Sequence, residues 1–490
     1  MKKSLIALAA FAATSAFAQS SVTLYGIVEA TVDVGFNRKV DTVTSSSFTA
    51  TTGAAVGNST VLSLPTITAG TGALTAGAAV NGGTVVVRNE QKNGMRVQDG
   101  NSQGTGTSRV GFRGTEDLGG GMKANFLMEM GIRIDDGAVT QAGTTNTNSG
   151  DSGGNVFGRN AWGGLSGGFG EVRLGRQVLG SFGVQANSWA AGASNGFYDV
   201  GLSTAPLMGG VRFSNAIRYL SPAFGGFKAS VMLAAPETEG DTSTSSTATP
   251  INTGVGVVTS TSASRRTGVD LALEYANGPA YVGFGYNTRD TANVTGGFTT
   301  NSALAGVGNN LSNNPGRVNA WTLGGSYDLG VVKPFINYTR QTTKSDRQDS
   351  FTPAPGGFAA SISNVNDITV RAWSIGLRAP VGAFTVIAGY GRAVTDGVNN
   401  VVATQNVAGA QGSQVTVGRV ANSQTRNAFQ LGAQYALSKR TLVEANYGYN
   451  RLQNNTDAQS TNNFLAASGV QTIRSSDRSS AFNVGLKHSF

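Results

Sequence analysis

The sequence predicts an all-β protein: a transmembrane antiparallel β-barrel of about sixteen strands, with short turns at one end and long loops at the other. Three observations support this fold class. Apolar and polar residues alternate along many segments, and short turn-forming stretches alternate with long polar ones. After residue 18, no apolar run approaches the roughly 20 residues that a membrane-spanning helix requires.

The alternation is clearest in MKANFLMEMGIRI (122–134), where every even-numbered residue is apolar and Lys123, Asn125, Glu129 and Arg133 lie on the odd parity. The same pattern recurs at 267–276, 281–290, 427–437 and 481–490. Successive side chains of a strand point to opposite faces of its sheet. Each segment therefore predicts a strand with one apolar face and one polar face.

Two kinds of connection follow one another along the chain. Short stretches rich in turn-forming residues predict tight turns at 117–122, 166–170, 222–227, 277–280, 328–332, 380–383 and 438–440. Long stretches rich in Ser, Thr, Asn and Gly predict loops at 35–106, 136–155, 178–210, 237–265, 291–317, 344–368, 395–425 and 453–477. This order predicts antiparallel hairpins with strands of roughly 10–13 residues.

Part of the first long connection, 41–85, can be interpreted in two ways. Its runs of Thr, Ala, Gly and Val are compatible with a long surface loop or with an extra extended hairpin. The loop is the favoured interpretation.

The direction of the polar face decides between two kinds of β protein. In a soluble sandwich, the apolar faces of about sixteen strands would need a very large shared core, yet only 39% of the residues are hydrophobic. In a membrane barrel, the apolar face meets lipid, the polar face lines a water-filled lumen, and closure removes every strand edge. The barrel is favoured over a soluble secreted protein, so the arginines are expected to point inward.

The N-terminus has the form of a cleaved secretory signal. Two lysines precede a short apolar run, and Ala16, Phe17 and Ala18 form an A-x-A cleavage site. A signal peptide is therefore predicted at 1–18 and one barrel domain at 19–490. Cleavage removes Lys2 and Lys3 and no acidic residue, so the formal charge falls from +9 to +7.

The chain offers little for catalysis. It has no cysteine and one histidine, which excludes metal sites built from clusters of those residues. GLSGG (164–168) fits the G-x-S-x-G pattern of hydrolases, but that motif needs a strand–turn–helix context and a histidine partner. The only histidine, His488, is two residues from the C-terminus. No enzyme activity, cofactor or nucleic-acid partner is predicted.

Five stretches carry a resemblance to a known family: SSVTLYGIVEA (20–30), SRVGFRGTEDLGGGMKANF (108–126), FGRNAWGGLSGGFGEVRLGRQ (157–177), RFSNAIRYLSPAFGGF (212–227) and VGLKHSF (484–490). Together they resemble the trimeric general-diffusion porins of Gram-negative outer membranes, most closely the beta-proteobacterial, anion-preferring branch. The resemblance implies a sixteen-stranded barrel that forms a homotrimer surrounded by outer-membrane lipid and lipopolysaccharide. It also implies that the terminal Phe490 is a signal for the barrel-assembly machinery.

The resemblance further implies a pore constriction formed by the loop 178–210 and by Arg109, Arg159 and Arg212. Alternation supports Arg109 and Arg212, since both lie opposite apolar neighbours, whereas it is poor around Arg159. The family often has several acidic residues on this loop, but Asp199 is the single carboxylate between 178 and 210.

Further charged residues are predicted to line the lumen: Arg113, Lys123, Glu129, Arg133, Arg173 and Arg218. Glu129 and Asp199 are expected to balance the arginines. For Lys123 and Arg133, simple solvation of a polar lumen is the favoured role. Aromatic residues near the strand ends, including Tyr25 and Tyr281, are expected in interfacial girdles.

These features predict a passive pore for small hydrophilic solutes with a preference for anions. Positive charge in a narrow passage raises the local concentration of anions. One alternative is a solute-specific channel, for example for phosphate or a carboxylate metabolite. The other is a barrel that serves adhesion or surface display through its long loops.

Overall fold

The computed structural model describes residues 21–50, 79–99, 108–135, 137–140, 156–189, 211–235, 256–257, 267–290, 299–300, 307–313, 317–353, 360–405, 415–416, 419–462 and 467–490. The predicted signal peptide, 1–18, lies outside these residues. Within them, sixteen strands form the barrel, each antiparallel to the next along the chain.

The first eight strands are β1 Ser21–Ala50, β2 Arg109–Gly119, β3 Met122–Ile132, β4 Asn160–Gly167, β5 Gly170–Val178, β6 Arg212–Leu220, β7 Phe227–Ala234 and β8 Gly268–Asn277. The other eight are β9 Ala280–Asp290, β10 Arg317–Tyr327, β11 Lys333–Pro353, β12 Ala360–Val381, β13 Phe384–Gln405, β14 Arg419–Ala436, β15 Thr441–Asn462 and β16 Ala467–Ser489. One helix, α1 Gly180–Asn187, follows β5.

The last strand closes the sheet on the first. β16 pairs antiparallel with β1 from Ile27 opposite Ser489 to Ala50 opposite Ala467. Closure leaves neither strand with an unpaired edge, which is the condition for a sheet in a bilayer. The predicted closed barrel of sixteen strands is confirmed.

Side-chain exposure settles which face points inward. On β8, Leu273 is 48% exposed, whereas Asp270 on the opposite parity is 0% exposed. On β14, Leu431 is 48% exposed and Gln430 only 2%. The apolar set therefore covers the outside of the barrel and the polar set lies inside, as expected for a barrel that meets lipid.

The tight turns form where turn chemistry predicts them. Between β2 and β3, the consecutive residues Gly119, Gly120 and Gly121 have φ angles of 82°, 62° and 80°. Only glycine adopts this left-handed region without steric cost, so three consecutive glycines permit the sharp reversal.

Strand lengths differ from the prediction. β2–β10 have 8 to 11 residues, but β1 and β11–β16 have 18 to 30. The loops predicted at 344–368, 395–425 and 453–477 are therefore partly wrong, because the flanking strands continue into them and pair. The β-branched Thr, Val and Ile residues among the Ser and Asn of these segments favour extended backbone.

The interpretation of 41–85 as a loop is also wrong where the structure describes it. β1 continues to Ala50, and a further strand, Ala79–Asp99, returns antiparallel beside it, with Ala30 opposite Asp99 and Thr49 opposite Ala79. The first connection, 35–106, thus contains the extended hairpin that was the second interpretation. Residues 51–78 lie outside the described part of the chain.

Shorter strands lie at Val139–Thr140, Gly256–Val257, Thr299–Thr300, Val307–Asn313 and Val415–Thr416. Among the described residues, no helix is long and apolar enough to cross a membrane.

Candidate functional site in the barrel lumen

Helix α1 begins on the inner wall and is fixed there by an aspartate of β8. Its N-cap residue, Leu179, provides no side-chain acceptor for the first helical N–H groups. Asp270 takes that role: Gly180 N donates to Oδ2 at 2.7 Å, Ser181 N donates to Oδ1 at 3.2 Å, and Ser181 Oγ donates to Oδ1. A residue of the barrel wall therefore accepts the hydrogen bonds of the first N–H groups of the helix, for which the N-cap residue itself has no side-chain acceptor.

The end of the helix is bound to strands farther around the barrel. Gln185 Nε2 donates to Thr339 Oγ1 at 3.1 Å, and Asn337 Nδ2 donates to Ser188 Oγ at 2.7 Å. Trp189 is buried in an apolar cluster with Ala372 and Ala393 of β12 and β13. The segment 179–189 thus follows the inner wall over several strands.

Glycines on the wall make room for this helix. A Cβ on Gly285 would lie 2.6 Å from Cα of Ser181, and a Cβ on Gly283 would lie 2.7 Å from Cγ1 of Val184. This part of the predicted constriction loop, 179–189, lies inside the barrel. Residues 190–210, including Asp199, lie outside the described residues.

Three arginines gather around Glu129 of β3. Arg159 Nε lies 2.7 Å from Glu129 Oε1, and Arg109 Nε lies 3.7 Å from Oε2. Arg212 joins them through Arg159, because its Nε donates to Arg159 O at 2.6 Å. The three arginines that the family resemblance assigns to a constriction are therefore neighbours in space, although they lie up to 103 residues apart in sequence.

Two uncharged side chains complete the contacts of Glu129. Tyr25 Oη donates to Oε2 at 2.7 Å, and Asn160 Nδ2 donates to Oε1 at 3.2 Å. These two hydrogen bonds help to fix the orientation of the Glu129 carboxylate.

The members of the cluster differ in their exposure. Arg159 is 5% exposed and Arg212 is 4% exposed, whereas the side chain of Arg109 is 29% exposed. Arg109 is therefore the most accessible of the three arginines.

A bulge next to the cluster changes which side chains share a face. Gly175 has a φ of 124°, Asn215 has a φ of 49°, and the pairing of β5 with β6 shifts between Gly175 and Gln177. Phe213 is consequently fully buried in an apolar cluster with Leu179 and does not face lipid. The alternation argument for Arg212 was therefore wrong, since a bulge breaks the period of two on which it rests.

The bulge also places a residue that the alternation missed. Arg176 Nη1 donates to Ser214 Oγ at 2.6 Å, and its Nε donates to Gly158 O at 2.7 Å. These contacts bring a fourth guanidinium close to Arg159 and Arg212. The spacing of the strand residues gave no signal for it, but a glycine inside a strand pattern is a known sign of a bulge.

The model of the Gram-negative porin family matches residues 4–455 of this chain. The chain belongs to the Gram-negative porin family. Outer membrane porin protein 32 of Delftia acidovorans is 29% identical over 499 residues and is covered completely, as is this chain. An outer membrane porin protein of Bordetella pertussis is 26% identical over 508 residues, again with both chains fully covered.

Among solved structures, the anion-selective porin from Comamonas acidovorans is similar, with 23% identity and a TM-score of 0.46 over 96% of this chain and 100% of that one. The relatives of this chain are porins, which are channels and not enzymes. The protein is an outer-membrane porin.

Three more of the predicted lining arginines lie on the inner wall of the porin. Arg113 Cζ lies 5.3 Å from the ring centre of Tyr25, and Arg173 Cζ lies 4.1 Å from that of Trp162. Arg218 Nη1 donates to Val178 O at 2.9 Å, so it supports the residues that lead into α1.

Lys123 and Arg133 lie away from this group. Lys123 is exposed near the tight turn after β2, and Arg133 is exposed just beyond the other end of β3. The backbone of Arg133 belongs to a turn, since Gly137 N donates to Arg133 O at 3.0 Å.

The expectation that Tyr25 and Tyr281 belong to aromatic girdles was wrong. Both lie on the inward parity, Tyr25 on Glu129 and Tyr281 on Glu274, to which its Oη donates at 2.8 Å. A tyrosine near a strand end has the same sequence signal whichever face it occupies, and only the parity of its strand separates the two cases.

Phe490 follows β16 at the seam between β16 and β1. Its N donates to Gly26 O and its O accepts from Gly26 N, both at 3.1 Å. The ring packs over Gly26, where a Cβ would collide with it.

Proposed function

We propose that this porin passes small hydrophilic solutes by passive diffusion and prefers anions, with Arg109, Arg159 and Arg212 as its filter. The observation that carries the proposal is the grouping of these three guanidinium groups around one carboxylate, Glu129. The cluster has a surplus of positive charge, and Arg176 adds to it.

The physical basis is electrostatic. Guanidinium groups stay protonated at every pH that a membrane protein encounters, so the surplus charge is permanent. The barrel wall has a low dielectric constant and focuses the field into the water-filled lumen, where it raises the local concentration of anions. The predicted constriction loop 178–210, with α1 on the inner wall, is proposed to narrow the passage so that solutes come close to Arg109.

The test is the reversal potential of the purified porin in a planar bilayer under a KCl gradient. The wild-type porin should conduct ohmically with a potential that favours chloride. The triple variant Arg109→Gln, Arg159→Gln and Arg212→Gln should remain a pore, with its selectivity shifted toward potassium.

A control variant removes the same charge elsewhere. Arg88, Lys439 and Arg440 are exposed, and their replacement by Gln should leave the potential unchanged. An equal shift in both variants would assign the preference to net charge and would contradict the proposed filter. A current that saturates with phosphate or a small carboxylate would favour a solute-specific channel instead.

We also propose a homotrimeric assembly and a role for Phe490 in recognition by the barrel-assembly machinery. The backbone hydrogen bonds between Phe490 and Gly26 support the proposed role of Phe490, because the residue that the assembly machinery recognises would then also take part in closing the barrel. Phe490→Ala should lower the amount of heat-modifiable trimer in outer membranes, whereas His488→Ala, also exposed near the terminus, should not. Equal amounts from both variants would contradict this role.

A further inference from the structure

A recess of about 560 Å³ opens in the inner wall between the arginine cluster and the tight-turn end of the barrel. Its volume is within the range of about 300–1,000 Å³ that is usual for small-molecule sites. Its chemistry comes from Tyr25, Arg113, Asn125, Trp162, Glu171 and Arg173. These residues belong to five neighbouring strands, β1 to β5, so a continuous sheet fixes their positions.

Each of two arginines lies over an aromatic ring in this recess. Arg113 Cζ is 5.3 Å from the ring centre of Tyr25, and Arg173 Cζ is 4.1 Å from the ring centre of Trp162. The N–H donors of a guanidinium lie in its own plane, so contact through its face leaves donors for a planar acceptor such as a carboxylate. The rings add flat, apolar surface beside those donors.

The charges of the recess are not balanced. Arg173 Nη2 binds Glu171 Oε2 at 2.7 Å, but Arg173 Nε is buried without a hydrogen-bond partner in the described residues. Within the described residues, Arg113 has no ion-pair partner, and its guanidinium lies over the ring of Tyr25. One net positive charge therefore remains in the recess, and the exposed guanidinium of Arg113 is the group that can offer it to an anion.

We propose that this recess is a second solute-binding station, selective for carboxylates that carry an aromatic ring. The carboxylate would accept hydrogen bonds from Arg113, and the ring would lie against Tyr25 and Trp162. This inference rests on the proposed function, since an anion must reach the lumen before it can bind there.

Tyr25 connects the recess to the arginine cluster. Its Oη donates to Glu129 at 2.7 Å, while its ring lies beneath Arg113. Arg109 and Arg113 are four residues apart on β2, which corresponds to about 13 Å along a strand. A solute that passes Arg109 would meet Arg113 next, so an aromatic anion would be retained longer than a small aliphatic one.

The test compares the block of chloride current by benzoate and by acetate, each added to single porin channels in a planar bilayer. Benzoate should block at a concentration about three- to tenfold lower than acetate, the range that one aromatic contact supplies. Benzylammonium, which has the ring with the opposite charge, should not block. Equal block by benzoate and acetate would overturn the proposal.

Two variants locate the effect. Trp162→Leu should raise the half-blocking concentration of benzoate toward that of acetate, with Tyr25 retaining part of the preference, and Arg113→Gln should weaken the block by both anions. Trp373 is a matched control, because it lies on the outer face, 39% exposed and next to Tyr390. If Trp373→Leu weakens the block by benzoate as much as Trp162→Leu does, the recess is not the site.

The result separates this inference from the proposed function. The comparison of two anions in one pore does not depend on the ratio of chloride to potassium permeability. If the reversal potential is as expected but benzoate and acetate block equally, the proposed arginine filter stands and only the second solute-binding station is contradicted.

Discussion

The barrel has two unlike halves. Strands β2–β10 have 8 to 11 residues, which is close to the 9–11 residues that a tilted strand needs to cross a bilayer. Strands β1 and β11–β16 have 18 to 30 residues. A strand of 22 residues is about 70 Å long and must extend well beyond the membrane.

The buried charged residues of the two halves differ in sign. The buried arginines among the described residues belong to the short-strand half or its connections, together with two buried acids: Arg159, Arg212 and Arg289, with Glu129 and Asp270. The buried charged residues that the structure describes in the long-strand half are all acidic: Glu29, Asp33 and Glu444. The ion pairs described beyond the membrane in the long-strand half, such as Arg478 with Asp41, are exposed. The short half therefore contains the proposed filter, and the long half adds a sheet that extends beyond the membrane.

The largest effect is expected from a variant that breaks the buried cluster around Glu129. Glu129→Gln leaves buried arginines without their carboxylate and should lower the free energy of unfolding by roughly 3–5 kcal/mol. Asp41→Asn removes the surface pairs of Asp41 with Arg478 and Arg88 and should cost about 1 kcal/mol or less. Unfolding of both variants in detergent, followed by circular dichroism, measures the difference. Similar losses would show that the two halves do not differ in this respect.

The second effect concerns the attachment of α1. Asp270→Asn removes the charged acceptor of Gly180 and Ser181, whose bonds are worth about 1.5–3 kcal/mol each. The helix should leave the wall at least about tenfold more often, which would appear as additional current fluctuations in single-channel recordings. Asp396→Asn breaks an exposed ion pair with Arg371 in the long half. This variant should not change the frequency of current fluctuations.

The smallest effect should come from shortening the long half. Ser345 and Asn366 face each other in the β11–β12 pairing. Replacement of residues 346–365 by Asn-Gly, a favoured two-residue hairpin turn, should leave the single-channel conductance unchanged. A changed conductance would mean that the outer sheet takes part in permeation.

The sequence predicted the barrel and its orientation because alternation is a local signal. Met122 to Ile134 show on their own that Glu129 lies on the polar face. The grouping of Arg109, Arg159 and Arg212 came from the family resemblance, since no local pattern reports a contact between residues so far apart.

The failures have physical causes of two kinds. At Gly175 and Asn215, a backbone irregularity changes the parity, so Phe213 and Arg176 do not lie where a period of two places them. In 344–368, the composition of Ser, Thr and Asn fits a loop or a solvated strand equally well, and the pairing of its two arms, from Lys344 with Asp367 to Phe351 with Ala360, decides. The bond between Asp270 and Gly180 is a contact over 90 residues, which local patterns do not contain.

The seam at Gly26 and Phe490 has a consequence for the order of events during folding. These residues are 464 positions apart in the sequence, so the contact that completes the barrel is among the most non-local ones in the described part of the molecule. Non-local contacts form slowly, because a long loop must close before they give any stabilisation. Until β16 pairs with β1, each of the two strands keeps an unpaired edge, so closure of the ring is expected to be a late step of folding.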